Sequence, residues 1–257
     1  MNFKIEYSVI QDNIQVDGYS VSKTDCSAYF SNQVSSKIDR ADSTEQLCNH
    51  IAELRTTGFE VGTLFAQTET TPQIKDWEIG EAFAEAVLED EHDAMFPWET
   101  GWDKRTSKAS LPGADIVGLQ NKAAPRFIFG QVKSSSEERV PPQIVNSGKD
   151  CLKKQMHRLR HSNAEQRQLI QWLLLRMKGT NWEKSFNEAL GKYVQKDYCL
   201  VGVLVSGGRK AEKSDLSGIC ADIQHAVGDG EMTLLGYYLP FMKHEWPGLV
   251  QRKEVSL

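Results

Sequence analysis

Hydrophobic and polar residues repeat along this chain at two periods, and the switch between them outlines the elements. Phe3 to Ile10 and Ile14 to Val21 alternate loosely around Asp12 and Asn13, which predicts a β-hairpin. From Thr44 to Leu54 the period lengthens, placing Leu47, Ile51 and Leu54 on one helical face with Ser43 as N-cap. Phe59 to Phe65 reads as a strand, and the polar run Thr68 to Pro72 closes this first part. A stronger helix is expected from Trp77 to Glu91, with Ile79, Phe83, Ala86 and Val87 as its apolar stripe. Leu111-Pro112-Gly113 marks a turn. After it, Asp115 to Leu119 and Phe127 to Val132 read as paired strands joined by a loop containing Pro125. Ser134 to Pro142, rich in Ser, Glu and Pro, reads as an exposed loop. Ser147, with Asp150 three residues on, is expected to cap a basic helix running to His161. Helices follow over Ala164 to Met177 and Trp182 to Val194, then a buried strand from Tyr198 to Val205. A helix over Ser217 to Ala226 and a last strand over Met232 to Leu239 complete the pattern. From residue 77 the order is α-β-β-α-α-α-β-α-β, a mixed α/β core.

Composition narrows the setting. With 257 residues and 40% hydrophobic content, the chain has enough apolar surface for a substantial core. No apolar run approaches the roughly 20 residues that cross a bilayer, so no membrane partner is expected. Met1 to Ile10 lacks the basic-then-apolar form of a signal peptide. The five cysteines are scattered and form no CxxC pair, which fits a reduced, cytoplasmic protein better than a disulfide framework. The net charge of -5 conceals an asymmetry: residues 1–100 hold 6 basic and 19 acidic side chains, whereas 101–257 hold 24 and 16. That asymmetry suggests a basic face in the second part. Residues 1–70 are therefore read as an acidic α/β segment serving assembly, and 71–257 as the chemical core.

Four segments combine into a candidate site: Gly80-Glu81-Ala82-Phe83, Gly113-Ala114-Asp115-Ile116, Gly130-Gln131-Val132-Lys133, and the basic helix that follows. Residues two apart on a strand share a face, so Gln131 and Lys133 project together while Val132 points the other way. Pairing of the two strands brings Asp115 to them, and a helix packed alongside is expected to bring Glu81. Phosphodiester hydrolysis calls for a hard cation with oxygen ligands. Mg2+, or Mn2+ in its place, would meet Asp115 as central ligand, with Glu81, the Gln131 amide oxygen and the Val132 carbonyl. Lys133 would stand beside the charge that develops on phosphate.

These residues resemble the PD-(D/E)xK nuclease superfamily, in which a carboxylate is followed across a hairpin by (D/E/Q)xK. The resemblance covers roughly Gly80 to Arg160 and departs from the commoner pattern at Gln131, where Glu or Asp is usual. It implies a restriction-endonuclease-like core, a mixed sheet flanked by helices, here with an N-terminal α/β extension. The run Ile79 to Leu88, with the Gly-x-Asp and Gly-Gln-x-Lys strands after it, is also similar to the nuclease subunit family of the Hachiman anti-phage system. That resemblance implies a DNA-cutting effector working with a helicase encoded alongside.

Blander readings stand beside each residue. Glu81 and Glu85, one turn apart, fit a solvated helix face, Asp115 a turn residue, and Lys133 an edge-strand lysine. Lys149, Lys153, Lys154, Arg158 and Arg160, with His157 and His161, suit phosphate binding or an acidic partner protein. Gln155, within that run, is a further candidate contact. Gly207-Gly208-Arg209-Lys210 lacks the Walker pattern and reads as a turn. The histidines are read as showing neither HxxxH nor HExxH spacing, so no zinc hydrolase is expected. Two other functions remain: a nuclease-fold subunit without catalysis that binds or scaffolds DNA, and an acid/base enzyme using Glu81 and Glu85.

Overall fold

The period-two segments from both ends of the chain converge on one sheet. A computed structural model describes residues 1–11, 14–38, 74–97, 113–223 and 230–250. Its strands are β1 (Lys4–Gln11), β2 (Ile14–Ser20), β3 (Ala94–Met95), β4 (Ile116–Gln120), β5 (Arg126–Ser135), β6 (Cys199–Gly207) and β7 (Glu231–Leu239). They form a seven-stranded sheet in the order β1-β2-β7-β6-β5-β4-β3. The four inner strands β2, β7, β6 and β5 run parallel, and antiparallel pairs close both sides. β6, apolar from Cys199 to Val205, is buried along its whole length, as a central parallel strand covered on both faces must be.

Helices cover both faces. On one lies α3 (Asp76–Glu91), packed with α1 (Lys23–Tyr29), a π-helical turn (Phe30–Val34), α2 (Ser35–Ile38) and the terminal α9 (Trp246–Leu249). Phe83 of α3 is the hub of this layer, with Phe30 at 5.7 Å and Tyr237 at 5.6 Å between ring centres. The other face carries α4 (Gln143–Asn146), α5 (Leu152–His161), α6 (Asn163–Met177), α7 (Glu183–Val194) and α8 (Ser214–Ile223). There Phe127 meets Phe186 of α7 edge to face at 5.5 Å, a geometry that favours aromatic pairs.

The mixed α/β architecture expected from the pattern is present, with four differences. The first hairpin is no separate extension, since β2 pairs with β7 from Gln15↔Thr233 to Ser20↔Tyr238, within the same sheet as the core. β5 continues through Ser135, into the segment read as loop. The basic helix opens at Leu152 with Cys151 as N-cap, and Ser147 instead closes the short α4. Lys23 to Ile38 and Trp246 to Leu249, left unassigned by periodicity, are helical. The expected helix over 44–54 and strand over 59–65 lie outside the described residues. No helix among the described residues is long and apolar enough to cross a membrane.

A polar network anchors the loop after β5. Arg209, in the turn after β6, donates two bonds of 2.9 Å to the fully buried Asp215 of α8. It also donates to the carbonyls of Glu137 and Arg139 at 3.2 and 3.0 Å. Tyr238 donates to Asp215 at 2.9 Å. Burial pushes the Asp215 carboxyl up against the lowering pull of Tyr238 and Arg209. Removing one partner of a buried pair costs about 3–5 kcal/mol. Arg209→Ala is therefore expected to lower the unfolding free energy, measured by urea denaturation at neutral pH, by that much. A carboxyl whose folded pKa exceeds its unfolded value opposes folding once it ionises. The deficit should thus shrink as pH falls and Asp215 takes up its proton; a deficit independent of pH would mean that the Asp215 charge is not its source.

Candidate active site

The β4–β5 hairpin pairs Ile116 with Gly130, and its open end lies just beyond, at Asp115 and Gln131. The Asp115 N–H still donates to the Gly130 carbonyl at 2.9 Å, which extends the ladder by one bond. Its side chain then turns across the gap. Asp115 Oδ2 accepts a 2.9 Å hydrogen bond from the Val132 N–H. A strand residue presents its N–H and C=O on the same side, so the Val132 carbonyl faces this edge too.

Gln131 is buried, and its Nε2 donates to the Gly113 carbonyl at 2.6 Å. A carbonyl accepts and never donates, so the amide nitrogen must face it and the amide oxygen must point away. Gly113 adopts φ +105°, a backbone that glycine tolerates and other residues rarely adopt. The turn residue, the neutral amide and the carboxylate are therefore joined in one small bonded unit.

Each face of β5 meets a different helix. A side chain at Gly202, the register partner of Gln131, would press on Met156 of α5. Gln131 and Lys133 therefore point to the α5 face, where Lys133 is half-buried. Gly80 approaches Ser134 so closely that any side chain there would strike its hydroxyl, and this contact seats α3 on the opposite face with Val132 and Ser134. Glu81 therefore reaches β5 from the other layer, not from the side of Gln131 and Lys133. Glu81 and Glu85 are both buried, which removes the reading of a solvated face. Asp115 is more than a turn residue, since its carboxylate holds the next strand. At Lys133 the strand pairs only with β6, at Leu204, because the pairing with β4 ends at Gly130, so the edge-strand reading of this lysine stands.

On α5, Leu152, Met156 and Leu159 are buried and give it one apolar face, so the helix is less evenly basic than its composition suggests. Lys149 and Lys154 are exposed, and Lys153 and Arg160 are half-buried. Arg158 is held by Glu165 of α6 at 3.0 Å. Gln155 Oε1 is buried and accepts no hydrogen bond among the described residues. Gly113 lies in one of the expected site segments, but nothing in the Pro112-Gly113 turn signals that its carbonyl orients Gln131. The expected absence of HxxxH spacing is incorrect, because His157 and His161 stand four residues apart on one helix.

Among the described residues no group of three or more His, Cys, Asp and Glu could hold a metal ion. A site needing three charged ligands is thus not formed there. The oxygen donors at the hairpin mouth are the Asp115 carboxylate, the Gln131 amide oxygen and the Val132 carbonyl. All are oxygens, the set that suits magnesium, which commonly takes one or two carboxylates and completes its shell with water. No protein-family model matches the sequence, and no curated protein matches it.

The bond to Gly113 makes Gln131 testable without any activity. Gln131→Glu places a carboxylate oxygen against the Gly113 carbonyl, two acceptors with no proton between them. Leaving buried polar groups unsatisfied costs about 1–3 kcal/mol. Urea denaturation in EDTA is expected to show a loss of that size, and unchanged stability would mean that the bond is not formed.

Proposed function

We propose that this protein is a metal-dependent phosphodiesterase acting on DNA, built on a restriction-endonuclease-like core. The observation that carries the reading is the bonded unit of Asp115, Gln131 and Val132 at the hairpin mouth, with Lys133 two residues beyond Gln131 on its face. A carboxylate facing a (D/E/Q)xK strand across a hairpin is the arrangement implied by the resemblance to PD-(D/E)xK nucleases.

In this reading Asp115, the Gln131 amide oxygen and the Val132 carbonyl would hold magnesium or manganese; Glu81, on the other face of β5, would join them only by reaching round the open edge of the strand. When bound, the ion supplies Lewis-acid polarisation of the phosphate and lowers the pKa of a coordinated water. Asp115 is oriented for its part by the Val132 N–H, and Gln131 by the Gly113 carbonyl. Lys133 places a fixed cation where negative charge grows on the phosphate oxygens. Gln155 brings a buried, unsatisfied acceptor on the helix that covers this face. Lys149, Lys153, Lys154 and Arg160 would meet the DNA backbone, with Arg158 contributing less while Glu165 pairs with it. The acidic first part is assigned to a basic partner, a helicase encoded alongside, in an anti-phage defence complex working in the cytoplasm.

One observation favours a second reading, a nuclease-fold subunit that binds DNA without cutting it. Gln131 stands where an acid is commoner, and no cluster of three acids forms among the described residues.

The test is cleavage of duplex DNA, with magnesium or with EDTA, by the chain alone and with its genomic neighbour. Cleavage should require magnesium or manganese. Asp115→Asn should abolish it while leaving the fold intact, because the asparagine oxygen still accepts from the Val132 N–H. Lys133→Ala should slow it by roughly 10²–10³, the effect of removing one fixed donor from a developing charge. Equal cutting in EDTA, or by Asp115→Asn, would overturn the assignment; DNA binding without cutting under every condition would establish the second reading.

A further inference from the structure

His157 and His161 lie four residues apart on α5, so their side chains share one face a single turn apart. Both are exposed, and their ring centres stand 4.4 Å apart. An imidazole nitrogen sits about 2.1 Å from a bound metal ion, which puts two ring centres roughly 4.5 Å apart at a 90° ligand angle and roughly 5.3 Å apart at the tetrahedral angle of zinc. The pair stands close to the first separation and within about 1 Å of the second.

The geometry points to a two-histidine chelate on the outer face of α5 for a divalent transition-metal ion of the zinc and nickel class. Imidazole nitrogen suits these ions, whereas magnesium and calcium prefer oxygen. This site is therefore chemically distinct from the oxygen donors at the hairpin mouth and does not depend on the function proposed above. Two protein ligands leave further coordination positions open to water or to an anionic oxygen such as phosphate.

Metal binding needs neutral imidazole. Partial desolvation, then His157 and Arg160, lower the His161 pKa from its usual value, a direction that favours the neutral ring. The surrounding charges oppose a cation but are partly offset. Lys154 and Arg160 lie on the same helix, while Arg158 is paired with Glu165 of α6. At an exposed position the remaining repulsion is screened by water and salt.

Nickel and zinc, each alone, are titrated calorimetrically into the reduced full-length chain, with magnesium as control. The expected result is saturable one-to-one nickel and zinc binding, with no heat from magnesium at this site. His157→Gln and His161→Gln should each weaken it at least about tenfold, the loss that even supporting groups around a metal produce. His50→Gln, beside Cys48, controls for ligands elsewhere and should leave it unchanged. Binding should weaken as the pH is lowered, because protons compete with the metal for imidazole nitrogen. Both variants replace exposed side chains, and unchanged apo thermal stability verifies that they fold. Absence of saturable nickel binding in the wild type, or binding unchanged in both histidine variants, would overturn the proposal.

Discussion

The Asp115 carboxylate accepting the Val132 N–H is the contact on which the candidate site depends. At the end of a hairpin a strand loses its partner, and the next backbone donor must find another acceptor or face water. Here a side chain takes over from the ladder. The same residue that prolongs strand pairing stands at the edge where the Val132 carbonyl points, and Gln131 is fixed beside it by the Gly113 carbonyl. The atoms proposed for the chemistry thus also hold the structure, so a substitution there is informative only when stability and activity are read separately.

β5 is the strand that makes this possible. It joins the antiparallel β4 to the parallel β6, and it carries different helical layers on its two faces. Gly80 lets α3 come down on Ser134, and Gly202 leaves room for Met156 of α5. Two buried glutamates on α3 and a basic, half-buried segment around α5 therefore flank the same strand from opposite sides.

Much of this was legible in the sequence because local pattern and tertiary demand agree. The helix expected over Trp77 to Glu91, the β4–β5 hairpin and the buried β6 follow from period and length, and the placing of Asp115 opposite Gln131 follows from that hairpin, whereas its bond to the Val132 N–H does not. What escaped is set by distant partners. Nothing near Ile14 signals that β2 pairs with β7, more than two hundred residues away. The Gln131 amide takes its orientation from Gly113, and Arg158 is partly neutralised by a glutamate on the next helix; both depend on three-dimensional placement. Sequence order suggested that Glu81 would join the others on one face, but the close approach at Gly80 sets its helix on the other layer. The start of α5 was misplaced because Ser147 is a good cap residue, and it caps the end of a helix rather than the beginning.

The central claim is that the hairpin mouth holds an oxygen-ligated divalent ion. Manganese titrated into the protein and followed by electron paramagnetic resonance reads this directly, because the signal of the free ion disappears on binding, whether or not DNA is cut. The account predicts one manganese site in the wild type, displaced by magnesium and lost in Asp115→Asn, with His157→Gln leaving it intact. Manganese binding of equal strength and stoichiometry in Asp115→Asn, or none in the wild type, would contradict it.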